Sequence, residues 1–358
     1  MFRPDPAHLA AQDLARAHSL PAAFYVEPGM AALDRQAVFA PSWQLAAHVS
    51  QLARPGDYLA TDIAGLPIVL LRAEEGELRA FHNICRHRAG PLARGQGCGL
   101  KRLRCLYHGW TYGLDGVLRS APEMSGCDGF VSDAVRLPTL AVQVWQGLVF
   151  VSEDASRAPP FEQWVAGIDA RLAGRDLASY RFHRREVYDI ACNWKLYVDN
   201  YLEGYHVPHI HPGLNKLLDY RSYTTTLAEW YSLQFSPLES SDALYGSGDA
   251  LYYYLFPNTM LNSLPDRLQT NRVLPLGVDR CRVEFDFYYP ADDSAEAEAR
   301  RARDRAFSDE VQAEDVQICE DVQRGLASGS YAPGRLNPLR ESGVHHFHEL
   351  LRRSYRAA

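Results

Sequence analysis

Residues Cys85 to His108 read CRHRAGPLARGQGCGLKRLRCLYH, and their chemistry lies in two pairs, Cys85-x-His87 and Cys105-x-x-His108, separated by seventeen residues. Two thiols and two imidazoles in this order admit two metals. Zinc accepts the same four ligands in a tetrahedral structural site, although zinc ribbons and fingers usually pair Cys with Cys and His with His. A 2Fe–2S cluster of the Rieske type wants the mixture found here, two thiolates on one iron and two neutral imidazoles on the other, and the spacing favours it. Gly90, Gly95, Gly97, Gly99 and Gly109 would let the backbone approach the sulfurs and donate N–H bonds. Trp110 would shield the cluster or fill a core. Arg86, Arg88, Arg94, Lys101, Arg102 and Arg104 would form a docking rim for an acidic electron donor or only a solvated rim.

A second concentration of ligand chemistry follows in DNYLEGYHVPHIHPGL, where Asp199, Glu203, His206, His209 and His211 fall within thirteen residues. Two histidines and a carboxylate hold Fe(II) with positions left open for oxygen. On an unbroken helix His206 and His209 would share a face, but Pro208 is expected to break the helix and bias Val207 away from it, so spacing alone leaves His209 and His211 as alternatives. The carboxylate is sought in SDEVQAEDVQICEDVQRGL, which reads as a long helix. Its apolar stripe of Val311, Ile318, Val322 and Leu326 includes Asp315, a costly place for a carboxylate unless it is paired or metal-bound; Glu314 and Glu320 lie off the stripe and read as solvated. VHHFHELL (His345, His346, His348) lacks a partner carboxylate or thiol at useful spacing, and no ligand is assigned there.

These side chains need two scaffolds. At 358 residues the chain exceeds one ordinary core, and 47% hydrophobic with 23% charged residues is globular composition. Residues 1–42 read as a helical segment. Residues 43–152 alternate or run apolar as a small antiparallel β domain, with a hairpin turn at Glu74–Gly76. A linker is expected around 152–164, at Pro159-Pro160. Residues 153–358 mix strands such as ALYYYLF and RCRVEFDFYY with long helices, which makes the chain α+β. A net charge of −7 argues against a nucleic-acid binder. Seven cysteines, an odd number scattered along the chain, fit reduced thiols and a metal site. The first twenty residues lack the apolar run of a signal peptide and no stretch is long enough to span a bilayer, so a cytoplasmic protein is expected.

The paired motif resembles that of Rieske-type non-haem iron oxygenases, and the likeness runs over nearly the whole chain. CNWKLYVDNYLEGYHVP, LFPNTMLN, TNRVLPLGVDRCRVEFDFYY and EDVQICEDVQRGLASGSY are most similar to the branch that oxidises choline, glycine betaine and other quaternary ammonium compounds. The resemblance implies a Rieske domain holding a 2Fe–2S cluster on Cys85, His87, Cys105 and His108. It implies a catalytic domain of helix-grip type, against which residues 1–42 pack, holding mononuclear Fe(II) on His206, His211 and Asp315. It makes Glu203 the carboxylate that carries electrons between subunits, hence a ring, most simply a homotrimer. With no G-x-G-x-x-G or flavin motif in the chain, electrons from NAD(P)H must arrive through a separate flavin or iron–sulfur reductase, or a ferredoxin. The expected reaction is monooxygenation of a small amine by O2, as a hydroxylation or oxidative N-demethylation. A cation–π cage is sought among Tyr205, Trp230, Tyr231, Tyr245, Tyr252, Tyr253, Tyr254 and Phe256. The alternatives are an aromatic-ring or aromatic-acid hydroxylase or O-demethylase, with Arg267 or Arg272 gripping a carboxylate, and a pure electron carrier, which would leave the second constellation unexplained.

Overall fold

A computed structural model describes residues 3–172, 174–218, 220–238, 244–245 and 247–358. The chain forms two compact units: a smaller one of residues 40–161 with 176–178, and a larger one of residues 1–39, 162–175 and 179–358.

The smaller unit is built on a seven-stranded antiparallel sheet in the order Gln44–His48, Leu148–Ser152, Thr139–Trp145, Leu78–His82, Leu66–Arg72, Tyr58–Ile63, Gln96–Gly97. LPIVLLR alternates its burial between two cores because both faces of its strand are covered. Ile68 and Leu70 enter one core, Val69 and Leu71 the other. The expected hairpin turn is present: Arg72 pairs with Leu78 around Glu74–Gly76, and Gly76 takes the left-handed φ of 88° that closes it. A three-stranded sheet of Leu103–Arg104, Thr111–Tyr112 and Leu118–Ser120 carries the second Cys-His loop.

His48 gives this unit an acid limit. Its ring is buried and its Nδ1 meets the Ser50 hydroxyl at 2.8 Å. Burial lowers it from 6.5 to about 4, against a backbone hydrogen bond with Leu177 that raises it. An unfolded chain takes up this proton below the ordinary imidazole pKa, whereas the folded chain does so only near pH 4, so stability is lost as pH falls through that window. The loss is about 1.4 kcal/mol per pH unit, at most roughly 3 kcal/mol. Melting temperatures of the wild type and His48→Gln between pH 7.5 and 4 check this: the wild type should lose more, and parallel curves would refute it.

The larger unit carries a seven-stranded antiparallel sheet in the order Arg181–Ile190, Cys281–Tyr289, Arg267–Pro275, Thr259–Leu264, Gly248–Leu255, Tyr231–Leu238, Thr224–Leu227. Its register aligns Gln234, Tyr252, Asn262 and Gln269 in one row across four strands. The Arg267–Pro275 strand alternates Arg267, Gln269 and Asn271 toward a cavity, while Leu268, Thr270 and Arg272 fall on its other face. Across the sheet lies the long helix Ala295–Ala327, capped by the Ser294 hydroxyl accepting from the Ala297 N–H, with Glu296 and Glu298 in its first turn. This is the expected α+β, helix-grip arrangement.

Three expectations need correction. Residues 1–40 are not one helix: the segment breaks into the short turns Pro6–Leu9 and Leu14–Arg16, Ala23–Val26, Gly29–Asp34 and a π-helical turn at Arg35–Phe39, because prolines at positions 4, 6, 21 and 28 interrupt it. Pro208 does not break its helix. It sits in the first turn of Val207–Ile210, where no N–H is needed; the preceding helix, Trp194–Tyr201, has already ended before Glu203. Of its apolar stripe the long helix buries only Leu326: Val322 is exposed, Val311 and Ile318 are half-buried, and the other buried positions are Ala297, Asp304, Ser308, Gln312, Cys319 and Gln323. That face is polar because part of it borders a cavity.

Candidate active site and iron–sulfur site

In the smaller unit Cys85 and Cys105 are buried in a core with Val69, Phe81 and Leu103, while His87 and His108 stand at the exposed tip. The two loops repeat one hydrogen-bond pattern. The Cys85 N–H donates to Gly90 O and the Ala89 N–H to Cys85 O; the Cys105 N–H donates to Trp110 O and the Gly109 N–H to Cys105 O. Ala89 and Gly109 both take positive φ, at 58° and 74°. The loops therefore face each other as near equivalents, each offering a buried thiol and an exposed imidazole. The His87 and His108 ring centroids lie 4.6 Å apart. This donor set fits a 2Fe–2S cluster of mixed ligation, which the buried Cys85 and Cys105 and the exposed His87 and His108 would hold.

Gly90 is fixed by this chemistry, since a Cβ there would lie 2.8 Å from Cys105 Sγ. Gly95 and Gly99 have no such neighbour, and a Cβ at Gly97 would meet Tyr58, so those glycines serve the loop and not the sulfurs. Trp110 is buried and stacks on His87 at 4.9 Å with 8° between the planes. All six basic residues of the segment are exposed. Tyr112, not singled out from the sequence, has its hydroxyl 3.3 Å from Cys85 Sγ and accepts the Arg86 N–H at 3.1 Å. Donation from that hydroxyl to a thiolate stabilises the more electron-rich, reduced state. Tyr112→Phe is expected to lower the reduction potential by about 40 mV, the equivalent of about 1 kcal/mol for one electron. Protein-film voltammetry checks it, and an unchanged potential would count against this role.

In the larger unit His206, His211 and Asp315 each offer an atom within 4.8 Å of the others'. The three come from two elements: both histidines from the Val207–Ile210 turn and its flanks, Asp315 from the long helix. Each imidazole is pinned from behind by a carboxylate. His206 Nδ1 meets Glu203 Oε1 at 2.6 Å, and His211 Nδ1 meets Glu314 Oε2 at 2.7 Å. Both Nε2 atoms then face Asp315 Oδ1, His211 at 3.0 Å and His206 at 3.9 Å. Asn200 Nδ2 donates to the same Oδ1 at 2.6 Å. The carboxylates fix the tautomer, proton on Nδ1, that leaves Nε2 as a lone pair for a metal. Burial alone would lower His211, but Asp315 and Glu314 outweigh it and hold it above the ordinary imidazole value. A proton between Nε2 and Asp315 is what a cation would replace, so the donor set fits Fe(II).

Two carboxylates sit elsewhere than expected. Glu314 is the partner of His211, and Glu320 accepts the Ala191 N–H at 3.0 Å, so neither is simply solvated. His209 is exposed, with its ring against Tyr205. His348 is buried on Asp199, at 2.9 Å, and His345 meets Gln12 O at 2.8 Å. A cavity of about 130 Å³, open to solvent on one side, lies against the triad. Of the expected aromatic cage only Tyr245 and Tyr252 line it. Tyr205 is exposed, Trp230 lies under Arg353, Tyr231 bonds Ala166 O, Tyr253 is buried away from the cavity, and Tyr254 and Phe256 pack on Phe347. Tyr197, Tyr201, Tyr223, Phe285 and Phe307 line it instead. Arg267 lines it too, whereas Arg272 is consumed in a buried ion pair with Glu284.

Residues 42–141 match the family "Rieske [2Fe-2S] domain" and residues 177–357 the family "Ring hydroxylating alpha subunit (catalytic domain)". The chain is 38% identical to the chloroplastic choline monooxygenase of Arabidopsis thaliana, over 94% of this chain and 83% of that protein. It is 31% identical to the carnitine monooxygenase oxygenase subunit of Escherichia coli K12, over 94% and 93%. Among solved structures, a quaternary ammonium Rieske monooxygenase in complex with L-carnitine superposes with a TM-score of 0.87 at 27% identity, covering 99% of this chain and 100% of that one. Naphthalene 1,2-dioxygenase from a Rhodococcus species, at 20% identity and a TM-score of 0.80 over 95% and 94%, shares the fold.

Proposed function

The chain belongs to the Rieske-type ring-hydroxylating oxygenases and is a non-haem iron monooxygenase; from that premise we propose that it is the terminal oxygenase for a small quaternary ammonium substrate. The net reaction takes one C–H bond, O2, two electrons and two protons to C–OH and water. At a carbon beside nitrogen the product is a carbinolamine, whose C–N bond breaks to leave an amine and a carbonyl compound. Its electrons come from NAD(P)H by way of a separate reductase, as is typical of the family.

The observation that carries this reading is the pair of carboxylate-pinned histidines directing both Nε2 atoms at Asp315 beside a cavity. In this reading His206, His211 and Asp315 hold the mononuclear iron, and Cys85, Cys105, His87 and His108 hold the cluster. When bound, the iron supplies oxygen activation and the cluster supplies single electrons. The residues around them do the rest. Glu314 and Glu203 orient the imidazoles. Asn200 donates to Asp315 and fixes its rotamer. Tyr197 and Tyr201 turn their hydroxyls to Gln312 and Asn262, leaving ring surface for the cavity wall.

Glu203 is read as the bridge that receives electrons from the cluster of a neighbouring copy. It borders the substrate cavity and also a second cavity, whose other walls include Asp199, Glu341 and His348. The assembly is accordingly read as a cytoplasmic homotrimer, which sedimentation at low micromolar concentration checks. The substrate reading is tested by oxygen uptake with a reductase against trimethylammonium compounds and aryl acids. Turnover of the former with stoichiometric amine release is expected. Turnover of aryl acids alone would replace it with the aromatic hydroxylase.

A further inference from the structure

Three thiols meet in the larger unit, apart from the triad and from the cluster site. Cys192, Cys281 and Cys319 are all buried and come from three different places in the chain. Cys281 opens the strand Cys281–Tyr289 and pairs with Ile190; Cys192 lies two residues beyond Ile190, just before the Trp194–Tyr201 helix, and Cys319 stands on the long helix. They form a row with Cys192 in the middle. Its Sγ is 3.8 Å from Cys281 Sγ, and it shares a second hydrogen bond with the Cys319 thiol. The N–H groups on either side seat it there, Ala191 donating to Glu320 Oε1 at 3.0 Å and Asn193 to Gln323 Oε1 at 2.8 Å, both on the long helix. Among the described residues only the triad brings three ligand atoms within 4.8 Å of one another, so the three sulfurs do not converge as metal ligands would.

Two thiols donating to one sulfur favour its thiolate. Cys281 and then Cys319 hold Cys192 below the ordinary thiol range, against its burial. Cys319 lines the second cavity, whose walls also include His206, Glu203 and Asn200. The row thus has an entrance at Cys319 and a nucleophile directly behind it.

We propose that Cys192 and Cys319 are a redox-modification site, a pair that hydrogen peroxide converts to a disulfide and that switches the neighbouring triad off. The Cys319 sulfur takes an oxygen atom from peroxide, becoming a sulfenic acid as the O–O bond breaks and water leaves. The Cys192 sulfur attacks it, and the sulfenic hydroxyl leaves with the Cys192 proton as a second water. In sum, two thiols and one hydrogen peroxide give one disulfide and two waters. A disulfide holds its sulfurs about 2 Å apart, closer than any thiol–thiol hydrogen bond, so the bond draws the long helix toward the Cys192 segment. Asp315 is one turn before Cys319 on that helix, and Asn200, its hydrogen-bond partner, is on the helix that Cys192 precedes. Displacements of about 1 Å at reacting groups cost up to roughly 100-fold in rate. Peroxide is what O2 yields when two electrons and two protons reach it without a substrate. For that source alone the inference rests on the oxygenase reading.

Holoenzyme exposed to a small excess of hydrogen peroxide, then alkylated and digested without reductant, tests the pair by peptide mass. A Cys192–Cys319 linked peptide is expected, with turnover down by at least roughly 10-fold and both reversed by mild reductant. Cys319→Ser should lose little turnover at the same dose. Full alkylation of Cys192 and Cys319 in the treated wild type, which needs no variant, overturns the proposal, as does a Cys192–Cys281 link. Equal loss of turnover in the wild type and Cys319→Ser overturns the switch, because the damage then lies elsewhere. Linking by added peroxide, but not on aeration of the reduced enzyme without substrate, upholds the pair and counts against O2 reduction at the triad as its oxidant.

Discussion

Asp315→Asn is expected to leave the chain folded and its cluster spectrum intact while abolishing turnover by at least roughly 1000-fold. The substitution is nearly isosteric, and the new carbonyl can still accept the Asn200 hydrogen bond now made to Asp315 Oδ1. What it removes is the only carboxylate of the proposed ligand set. Two neutral imidazoles and an amide hold Fe(II) far more weakly than two imidazoles and a carboxylate. Iron per chain should fall by about one equivalent, with sulfide unchanged. Glu314→Gln grades the effect: the His211 Nδ1–H keeps an acceptor of weaker charge, and iron affinity should fall by roughly 10- to 100-fold. If Asp315→Asn kept its iron and its turnover, the triad would be no metal site.

The second large effect is expected at Glu203. Its Oε1 meets His206 Nδ1 at 2.6 Å, and its Oε2 accepts the His206 N–H at 3.1 Å and the Tyr205 N–H. Glutamine keeps the shape and one acceptor. Glu203→Gln should therefore retain iron, sulfide and fold while steady-state turnover falls by roughly 100-fold or more. A rapid-mixing experiment separates the two roles this carboxylate fills. If Glu203 is the electron bridge, the pre-reduced variant should oxidise its cluster slowly on exposure to substrate and oxygen. Were it only an orienting group for His206, cluster oxidation in molecules that keep their iron would proceed at the wild-type rate.

What was readable from the sequence divides along physical lines. Cys85, His87, Cys105 and His108 are legible because each pair sits in one tight loop, where spacing is nearly geometry. Among the three histidines that follow, spacing left His209 and His211 as alternatives and only the family resemblance pointed to His211; in the fold His209 is turned outward against Tyr205. Asp315 drew attention as a carboxylate on an apolar stripe, yet it stands on a polar one running through Asp304, Ser308, Gln312 and Cys319. An amphipathic helix that borders a cavity does not bury its oiliest face, and hydrophobic periodicity then points the wrong way. Glu314 was missed for the same reason. The cavity wall was hard to read because Gln234, Tyr252, Asn262 and Gln269 form one row only through the register of four strands. No local window holds that information. Tyr112, two residues beyond Trp110, carries no signal in the sequence; its hydroxyl matters because the fold brings it to Cys85 Sγ and the Arg86 N–H.

The fold also explains why the site needs so many secondary carboxylates. The Trp194–Tyr201 helix ends before Glu203, and the histidines follow on a four-residue turn that cannot hold its own orientation. Glu203 accepts the Tyr205 and His206 N–H groups at the entry to that turn, and Glu314 clamps the last histidine from the long helix. The Trp194–Tyr201 helix is anchored in turn, since Lys195 and Trp194 donate to the buried Asp34.

Iron and acid-labile sulfide per chain, measured together with the low-temperature EPR spectrum of the dithionite-reduced protein, test the two-centre account most directly. The account predicts about three irons and about two sulfides, with a Rieske signal. About two irons and about two sulfides would contradict the triad as an iron site, and zinc without sulfide would contradict the account from its first motif.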